Sequence, residues 1–193
     1  MWDCKYDYRR KARVVLQGDK QRAETDDAYS GVVSLTTVRI MFLLATIGKL
    51  QLWAADIGNA FLNGLTRDKL YIVAGPEFGK EREGKELILY KSMYGARASC
   101  ARFHEHLAGK LLKLGFTPSK ADPDLWCKPN GDHYEYIATY IDDLLVASKD
   151  PEAILNELQK DYILKGVGIP EYYLGGDIIR TCDLEGNVWK FEP

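Results

Sequence analysis

Three stretches of the chain carry apolar residues at the spacing of a helix. The first follows Ser34, a residue type that caps helices well, and ends at Gly48. The second covers residues 99–114, and the third begins at Asp150, which is followed by a proline in the first turn. We therefore predict three helices.

Shorter runs that alternate, or that are apolar throughout, predict β-strands. They are a basic N-terminal strand that enters a turn at Gly18, the run 50–57, two short strands at 70–73 and 87–90, the hairpin 134–140 with 144–147, and a last strand at 172–179. Helices and strands follow one another irregularly, which favours an α+β fold with an antiparallel sheet and helices on one face. The phosphate loops of doubly wound folds, G-x-G-x-x-G and G-x-x-x-x-G-K, do not occur in the sequence.

Composition describes an ordinary globular domain of 193 residues, of which 46% are hydrophobic. The longest apolar run is far shorter than the roughly 20 residues that a membrane span needs, and the N-terminus lacks the apolar segment of a signal peptide. The four cysteines lie far apart, so neither a disulfide framework nor a zinc site is predicted. We expect an intracellular protein with reduced thiols and no membrane partner.

Charge is unevenly distributed, although the formal net charge is only -2. Residues 1–22 hold seven basic and three acidic groups, and residues 91–120 hold six basic groups and one acidic group. Residues 121–193 hold fifteen acidic and six basic groups. Separate positive and negative segments suit a site that binds phosphates together with a divalent metal ion. Solvated surfaces that happen to segregate explain the charge equally well.

Three carboxylates stand at the ends of predicted strands. Asp56 closes the apolar run 50–57, and Asp142 and Asp143 form the tip of the predicted hairpin. Converging carboxylates without compensating cations repel one another, so a cluster of this kind is typical of a site for Mg²⁺. Two such ions, about 3.5–4 Å apart, serve phosphoryl transfer. Adjacent acids in a turn are more commonly just solvated, but apolar sequence on both sides makes this hairpin part of the core.

Six segments of the chain carry recognisable motifs. Residues 140–143 spell Y-I-D-D, and residues 56–64 spell D-I-G-N-A-F-L-N-G. The other four segments are residues 11–18, 29–39, 91–95 and 172–175. Together they resemble copia-type LTR-retrotransposon reverse transcriptases. Residues 140–143 are similar to the catalytic hairpin of that family, and residues 56–64 are similar to its first palm motif. Residues 11–18 are similar to its fingers strand, and residues 29–39 to its Y-S-P-V-V segment and following helix. Residues 91–95 are similar to its K-S-L-Y-G segment, and residues 172–175 to its F-L-G stretch.

The resemblance implies an RNA-directed DNA polymerase that adds deoxynucleotides to a primer 3′-hydroxyl on an RNA or DNA template. Asp56 and Asp142 would ligate two Mg²⁺ ions, or Mn²⁺, and Asp143 would be the third acid. Residues implied to contact the incoming dNTP are Lys11, Arg13, Phe61, Tyr140 and Gly95. Residues expected to contact the nucleic acid are Ile141, Arg97, Arg102, Leu174 and Gly175.

Two of these assignments have an ordinary structural alternative. Phe61, five residues after Asp56, would be the steric gate that excludes a ribonucleotide 2′-hydroxyl, but without the motif it reads as a core aromatic residue. Lys11 and Arg13 would hold the triphosphate, since a Lys point charge and an Arg fork suit phosphate, but they also fit a basic surface strand.

The resemblance also implies a domain organisation. Partial fingers would cover about residues 1–50, the palm with some fingers about 51–165, and the primer-grip region about 166–193, with the thumb and RNase H domains absent. The chain would then be part of a polyprotein with integrase and RNase H as neighbours, and a live element would be cytoplasmic. Ala98 stands where the family usually has Gln, and Gly31 where it usually has Pro.

Two other functions remain open from the sequence. One is a catalytically inactive retrotransposon remnant that only binds nucleic acid. The other is a different two-metal palm enzyme, such as a nucleotide cyclase, which would need neither a steric gate nor a basic fingers strand. The presence of all three acids, Asp56, Asp142 and Asp143, favours an active polymerase.

Overall fold

A computed structural model describes residues 2–4, 10–12, 14–18, 30–183 and 186–192. The chain divides into two compact units. The first unit is drawn from Met1–Ser30 and Ala60–His106, and the second from Gly31–Asn59 and Leu107–Pro193. Arg13 lies outside the described residues, and so does the side chain of Lys11.

Thirteen strands and three α-helices occur in the described part of the chain. In order they are β1 (Trp2–Cys4), β2 (Arg10–Ala12), α1 (Leu35–Ile47), β3 (Gln51–Ile57), β4 (Leu65–Val73), β5 (Glu86–Lys91), α2 (Ser99–Lys113), β6 (Thr117–Pro118), β7 (Leu125–Asn130), β8 (His133–Tyr140), β9 (Asp143–Ser148), α3 (Pro151–Gln159), β10 (Leu164–Gly168), β11 (Tyr172–Tyr173), β12 (Gly176–Asp183) and β13 (Gly186–Glu192). Short 3₁₀ helices cover Ala60–Asn63 and Pro76–Phe78.

The three predicted helices are confirmed, with their caps. The Ser34 hydroxyl accepts a hydrogen bond from the Thr37 N–H at 3.1 Å, which satisfies a free donor in the first turn of α1. The Asp150 carboxylate does the same for the Ala153 N–H at 3.1 Å, at the start of α3. No helix within the described ranges is long and apolar enough to cross a membrane.

The centre of the second unit is a six-stranded sheet in the order β10-β3-β9-β8-β7-β6. All its neighbouring strands run antiparallel. A second sheet of three strands, β11-β12-β13, belongs to the same unit. In the first unit, β1 pairs with β2 and β4 pairs with β5, both antiparallel. The predicted mixture of helices with an antiparallel sheet is confirmed.

Both faces of the six-stranded sheet are covered. One face contributes Leu52, Ala138 and Leu145 to a core cluster with α1, β12 and β13. The alternate residues of β3 and β9 point to the opposite face, where α3 packs. The prediction that helices lie on one face is therefore wrong. The reason is that four successive residues of β9 are fully buried and need cover on both sides: Leu144, Leu145, Val146 and Ala147.

Two predicted strands are shorter than expected. The strand predicted at 172–179 is interrupted, because Leu174 (φ 44°) and Gly175 (φ 89°) form a two-residue turn between β11 and β12. A positive φ at both positions is the feature of the type I′ hairpin turn. At the N-terminus the basic strand ends at Ala12, and residues 14–17 belong to no strand.

Candidate active site at the ends of the central strands

The Y-I-D-D segment forms the predicted tight hairpin. Tyr140 pairs with Asp143 across β8 and β9, so the loop consists only of Ile141 and Asp142. Ile141 has a φ of 54°, as the first residue of a two-residue hairpin turn requires, although β-branched residues seldom adopt it. Asp142 lies at the tip, whereas Asp143 is the first residue of β9 rather than part of the tip.

Asp56 reaches this hairpin through the register of β3 with β9. It stands directly opposite Asp143, and directly opposite residues of an antiparallel pair project from the same face. The Ile57 N–H donates a hydrogen bond to the carbonyl oxygen of Asp142 at 2.8 Å, which fixes the loop against the end of β3. The structure thus brings together the three carboxylates that the sequence singled out.

The surroundings of Asp143 disfavour its charged form. Burial, followed by the charges of Asp142 and Asp56, raises the pKa of Asp143 to about 6. Each of these causes disfavours the charged carboxylate. A cation placed among the three acids would relieve this repulsion.

The acids suit a hard divalent cation by charge and by donor type. Within the described residues, no group of three or more His, Cys, Asp or Glu side chains is placed so that it could hold a metal ion as it stands. The fit therefore rests on the raised pKa of Asp143 and on the shared face of Asp56 and Asp143.

Asp143→Asn should stabilise the metal-free protein at pH 8 and lose this advantage in acid. The folded pKa of about 6 lies above the ordinary value of 3.8, so ionisation opposes folding as the pH rises from about 4 through 6. After discounting for partial exposure we expect about 1 kcal/mol. This corresponds to about 2–4 °C in Tm at pH 8, measured in EDTA between pH 4 and pH 8.

Asp132→Asn is the matched control for this measurement. Asp132 is an exposed hairpin acid whose pKa is lowered to about 2 by hydrogen bonds from Lys149 and His133. Its substitution should give no gain in Tm at any pH. A Tm difference for Asp143→Asn that stays constant from pH 4 to pH 8 would show that Asp143 carries no such penalty.

Lys165 also belongs to this site, although sequence reasoning missed it. It stands directly opposite Asp56 on the other neighbouring strand, β10. A Cβ at Gly58 would lie 2.9 Å from Lys165 Cε, so glycine at this position leaves room for the Lys165 side chain. Because β10 was not among the predicted strands, the sequence held no signal for this pairing.

The turn between β11 and β12 lies beside the same end of the sheet. Tyr173 is 5% exposed and packs in the core cluster that includes Ala138 and Leu145. Burial, followed by the charges of Asp143 and Tyr140, raises the pKa of the Tyr173 hydroxyl above its usual value. The half-buried Leu174 packs against the same cluster.

Phe61 lies in the first unit, within the 3₁₀ helix Ala60–Asn63. Its ring meets Tyr94 edge-on, with centroids 4.8 Å apart, and Phe103 at 6.4 Å. Phe103 is fully buried, whereas Phe61 is half-buried. Phe61 therefore stands at the margin of an aromatic cluster and keeps part of its surface accessible.

The remaining predicted contacts of the first unit differ in accessibility. Gly95 has a φ of 85°, and a side chain there would collide with the Leu16 carbonyl, so backbone packing requires this glycine. Arg97 is exposed, and its Nε donates a hydrogen bond to the Gly18 carbonyl at 2.9 Å. Arg102 is only 7% exposed and forms an ion pair with Glu105 at 2.8 Å. The expectation that Arg102 contacts nucleic acid is corrected, because its guanidinium is buried.

Two departures from the family motifs have local explanations. At Gly31 a Cβ would collide with Asp124 Oδ2, so a side chain at this position would require the Asp124 carboxylate to move. Ala98 is buried, and its carbonyl accepts the Arg102 N–H at 2.9 Å near the start of α2. A buried alanine there contributes no polar side-chain contact.

An antiparallel sheet with acids gathered at the ends of its central strands is typical of enzymes that act on phosphate groups with divalent cations. The sequence profile described as reverse transcriptase (RNA-dependent DNA polymerase) matches residues 2–186. The chain belongs to this family.

Relatives among curated proteins agree with this assignment. The chain is 31% identical over 179 residues to the Retrovirus-related Pol polyprotein from transposon RE1 of Arabidopsis thaliana, covering 90% of the chain and 12% of the relative. It is 29% identical over 187 residues to the polyprotein from transposon TNT 1-94 of Nicotiana tabacum, covering 92% and 14%. It thus spans only a small part of these relatives. The resemblance to copia-type reverse transcriptases is confirmed.

Proposed function

We propose that the chain is the catalytic core of a copia-type RNA-directed DNA polymerase, which transfers a nucleotide from a dNTP to a primer 3′-hydroxyl by a two-metal mechanism. The observation that carries this proposal is the cluster of Asp56, Asp142 and Asp143, in which Asp56 stands directly opposite Asp143, and burial together with the charges of the other two acids raises the pKa of Asp143. In a reverse transcriptase domain, acids that repel one another in this way are most simply explained as cation ligands.

Each residue of the cluster has a role in this proposal. Asp56 and Asp142 would hold two Mg²⁺ ions, with Mn²⁺ as an alternative, and Asp143 is the third acid. Bound there, the ions supply activation of the primer hydroxyl and neutralise charge on the leaving phosphate. Lys165, opposite Asp56, adds a positive charge that attracts phosphate oxygens.

Other residues would position the substrates. Tyr140 and Ile141, at the catalytic hairpin, are assigned to the primer terminus, and the turn Leu174–Gly175 to the primer grip. The exposed Arg97 is assigned to the nucleic-acid backbone, and Phe61 and Lys11 to the incoming dNTP. In this assignment the second unit contains the palm sheet and the primer grip, and the first unit contains fingers elements.

One observation favours a second candidate, an inactive remnant that binds nucleic acid without extending it. Ala98 is buried and apolar where the family usually has a glutamine. If a polar contact to the nucleotide is needed at this position, the chain binds primer–template but transfers no nucleotide.

Primer extension on an RNA template tests the proposed function. We expect labelled primers to be extended with dNTPs and Mg²⁺, and extension to stop in EDTA. Because the exposed Arg97 is assigned to the nucleic-acid backbone, rising salt should weaken binding. Binding without extension would support the inactive remnant, and the absence of both would overturn the proposal.

A further inference from the structure

The hydroxyl of Tyr173 is buried without a hydrogen-bond partner in the described structure. A buried hydroxyl without a partner destabilises a fold, and a phenylalanine of the same shape would avoid this loss. The F-L-G motif that residues 172–175 resemble has phenylalanine at this position. A buried hydroxyl that has no hydrogen-bond partner therefore calls for an explanation.

A tight turn and close packing on β13 hold the backbone around Tyr173. Tyr173 pairs with Gly176 across the turn, whose two residues both have positive φ. A Cβ at Gly176 would lie 2.6 Å from Phe191 Cε2, so the hairpin packs closely on β13. The turn and its packing on β13 therefore hold the backbone at Tyr173.

Tyr173 belongs to the core cluster on the same face of the sheet as Asp56 and Asp143. Its cluster contains Ala138 and Leu145, each two residues from Tyr140 or Asp143 on the same face of the sheet. Tyr140 itself packs against this cluster. The charges of Asp143 and Tyr140 both act on the Tyr173 hydroxyl, which agrees with a hydroxyl that points toward this end of the sheet.

We propose that Tyr173 is a positioning residue whose hydroxyl donates a hydrogen bond to the Asp143 carboxylate when the three acids bind a divalent cation. A phenol is a donor and an ionised carboxylate is an acceptor, so the pair is chemically matched. The hydrogen bond would orient the Asp143 carboxylate so that one oxygen accepts from Tyr173 and the other faces the cation. Hydrogen-bond partners of metal ligands commonly orient them in this way. The inference rests on the proposed function and links the turn Leu174–Gly175 to the acids.

Tyr173→Phe tests this inference, because it removes only the hydroxyl. With primer–template present, we expect Mn²⁺ affinity, measured from the free Mn²⁺ signal in electron paramagnetic resonance, to fall about tenfold. The kcat for primer extension should fall by a similar factor, with little change in KM for the dNTP. In the metal-free protein, Tm should be unchanged or higher, since the hydroxyl has no partner there.

Tyr136→Phe is the matched control. Tyr136 packs against the same core cluster from β8 but pairs with Ala147, away from the acids. Its substitution should leave Mn²⁺ affinity and kcat unchanged. Equal Mn²⁺ affinity and kcat in Tyr173→Phe and the wild type would overturn the inference. A lower Tm in metal-free Tyr173→Phe would also overturn it, by showing a structural partner. A wild-type chain that neither binds Mn²⁺ nor extends primers would overturn the proposed function together with this inference.

Discussion

Asp56→Asn should reduce primer extension by roughly a thousandfold or more, which corresponds to a barrier about 4 kcal/mol higher. An amide has the shape of the carboxylate but neither its charge nor its affinity for hard cations. The backbone pairing of Asp56 with Asp143 and Lys165 does not depend on the side chain, so the fold should remain. Single-turnover extension measures the effect, and thermal unfolding checks the fold.

Asp142→Asn should behave in the same way, because Asp142 is assigned as the second metal ligand. Asp132→Asn serves as the control, since this exposed acid occupies a hairpin between β7 and β8 rather than the one that carries the catalytic acids. Activity within tenfold of wild type in either Asp56→Asn or Asp142→Asn would show that the assigned acids do not carry the chemistry.

Phe61→Val should weaken the discrimination between dGTP and rGTP by about 10–200-fold, the range expected when a contact worth about 1–3 kcal/mol is lost. The expected reason is that the ring blocks the 2′-hydroxyl of a ribonucleotide. The half-buried ring leaves surface available for such a contact. The measurement is the ratio of kcat/KM values for the two nucleotides.

Phe61→Tyr separates this role from simple packing. Tyrosine keeps the ring against Tyr94 and Phe103, so discrimination should stay near the wild-type ratio. Thermal unfolding of both variants reports the loss of packing. An unchanged nucleotide ratio in a folded Phe61→Val protein would mean that Phe61 is only a core residue.

Local signals in the sequence predicted the helices and the acids well. The side chains of Ser34 and Asp150 each accept a hydrogen bond from the backbone N–H three residues later. Both helix caps can therefore be predicted from the nearby sequence. The hairpin that carries Asp142 and Asp143 is equally local, because its two strands are adjacent in sequence. These features needed no knowledge of distant pairings.

Strand register, side-chain packing and an unusual backbone conformation explain what the sequence could not predict. Lys165 reaches Asp56 only through the register of β10 with β3, which no local pattern encodes. The burial of Arg102 against Glu105 likewise depends on the packing of α2 rather than on its charge. The predicted strand 172–179 is interrupted because Leu174 adopts a left-handed backbone conformation. Leucine seldom adopts this conformation, so residue preferences do not predict the turn.

Because the loop between β8 and β9 has only two residues, Ile141 and Asp142, the site should be more sensitive to the length of this loop than to the side chain at Ile141. Side chains alternate along β9, so an inserted or deleted residue that shifted the pairing of β9 by one position would turn Asp143 from the face shared with Asp56 to the face covered by α3. A substitution at Ile141 keeps that alternation. A coding sequence for this hairpin should therefore tolerate many substitutions beside the acids, whereas insertions and deletions that shift the pairing would separate Asp143 from Asp56.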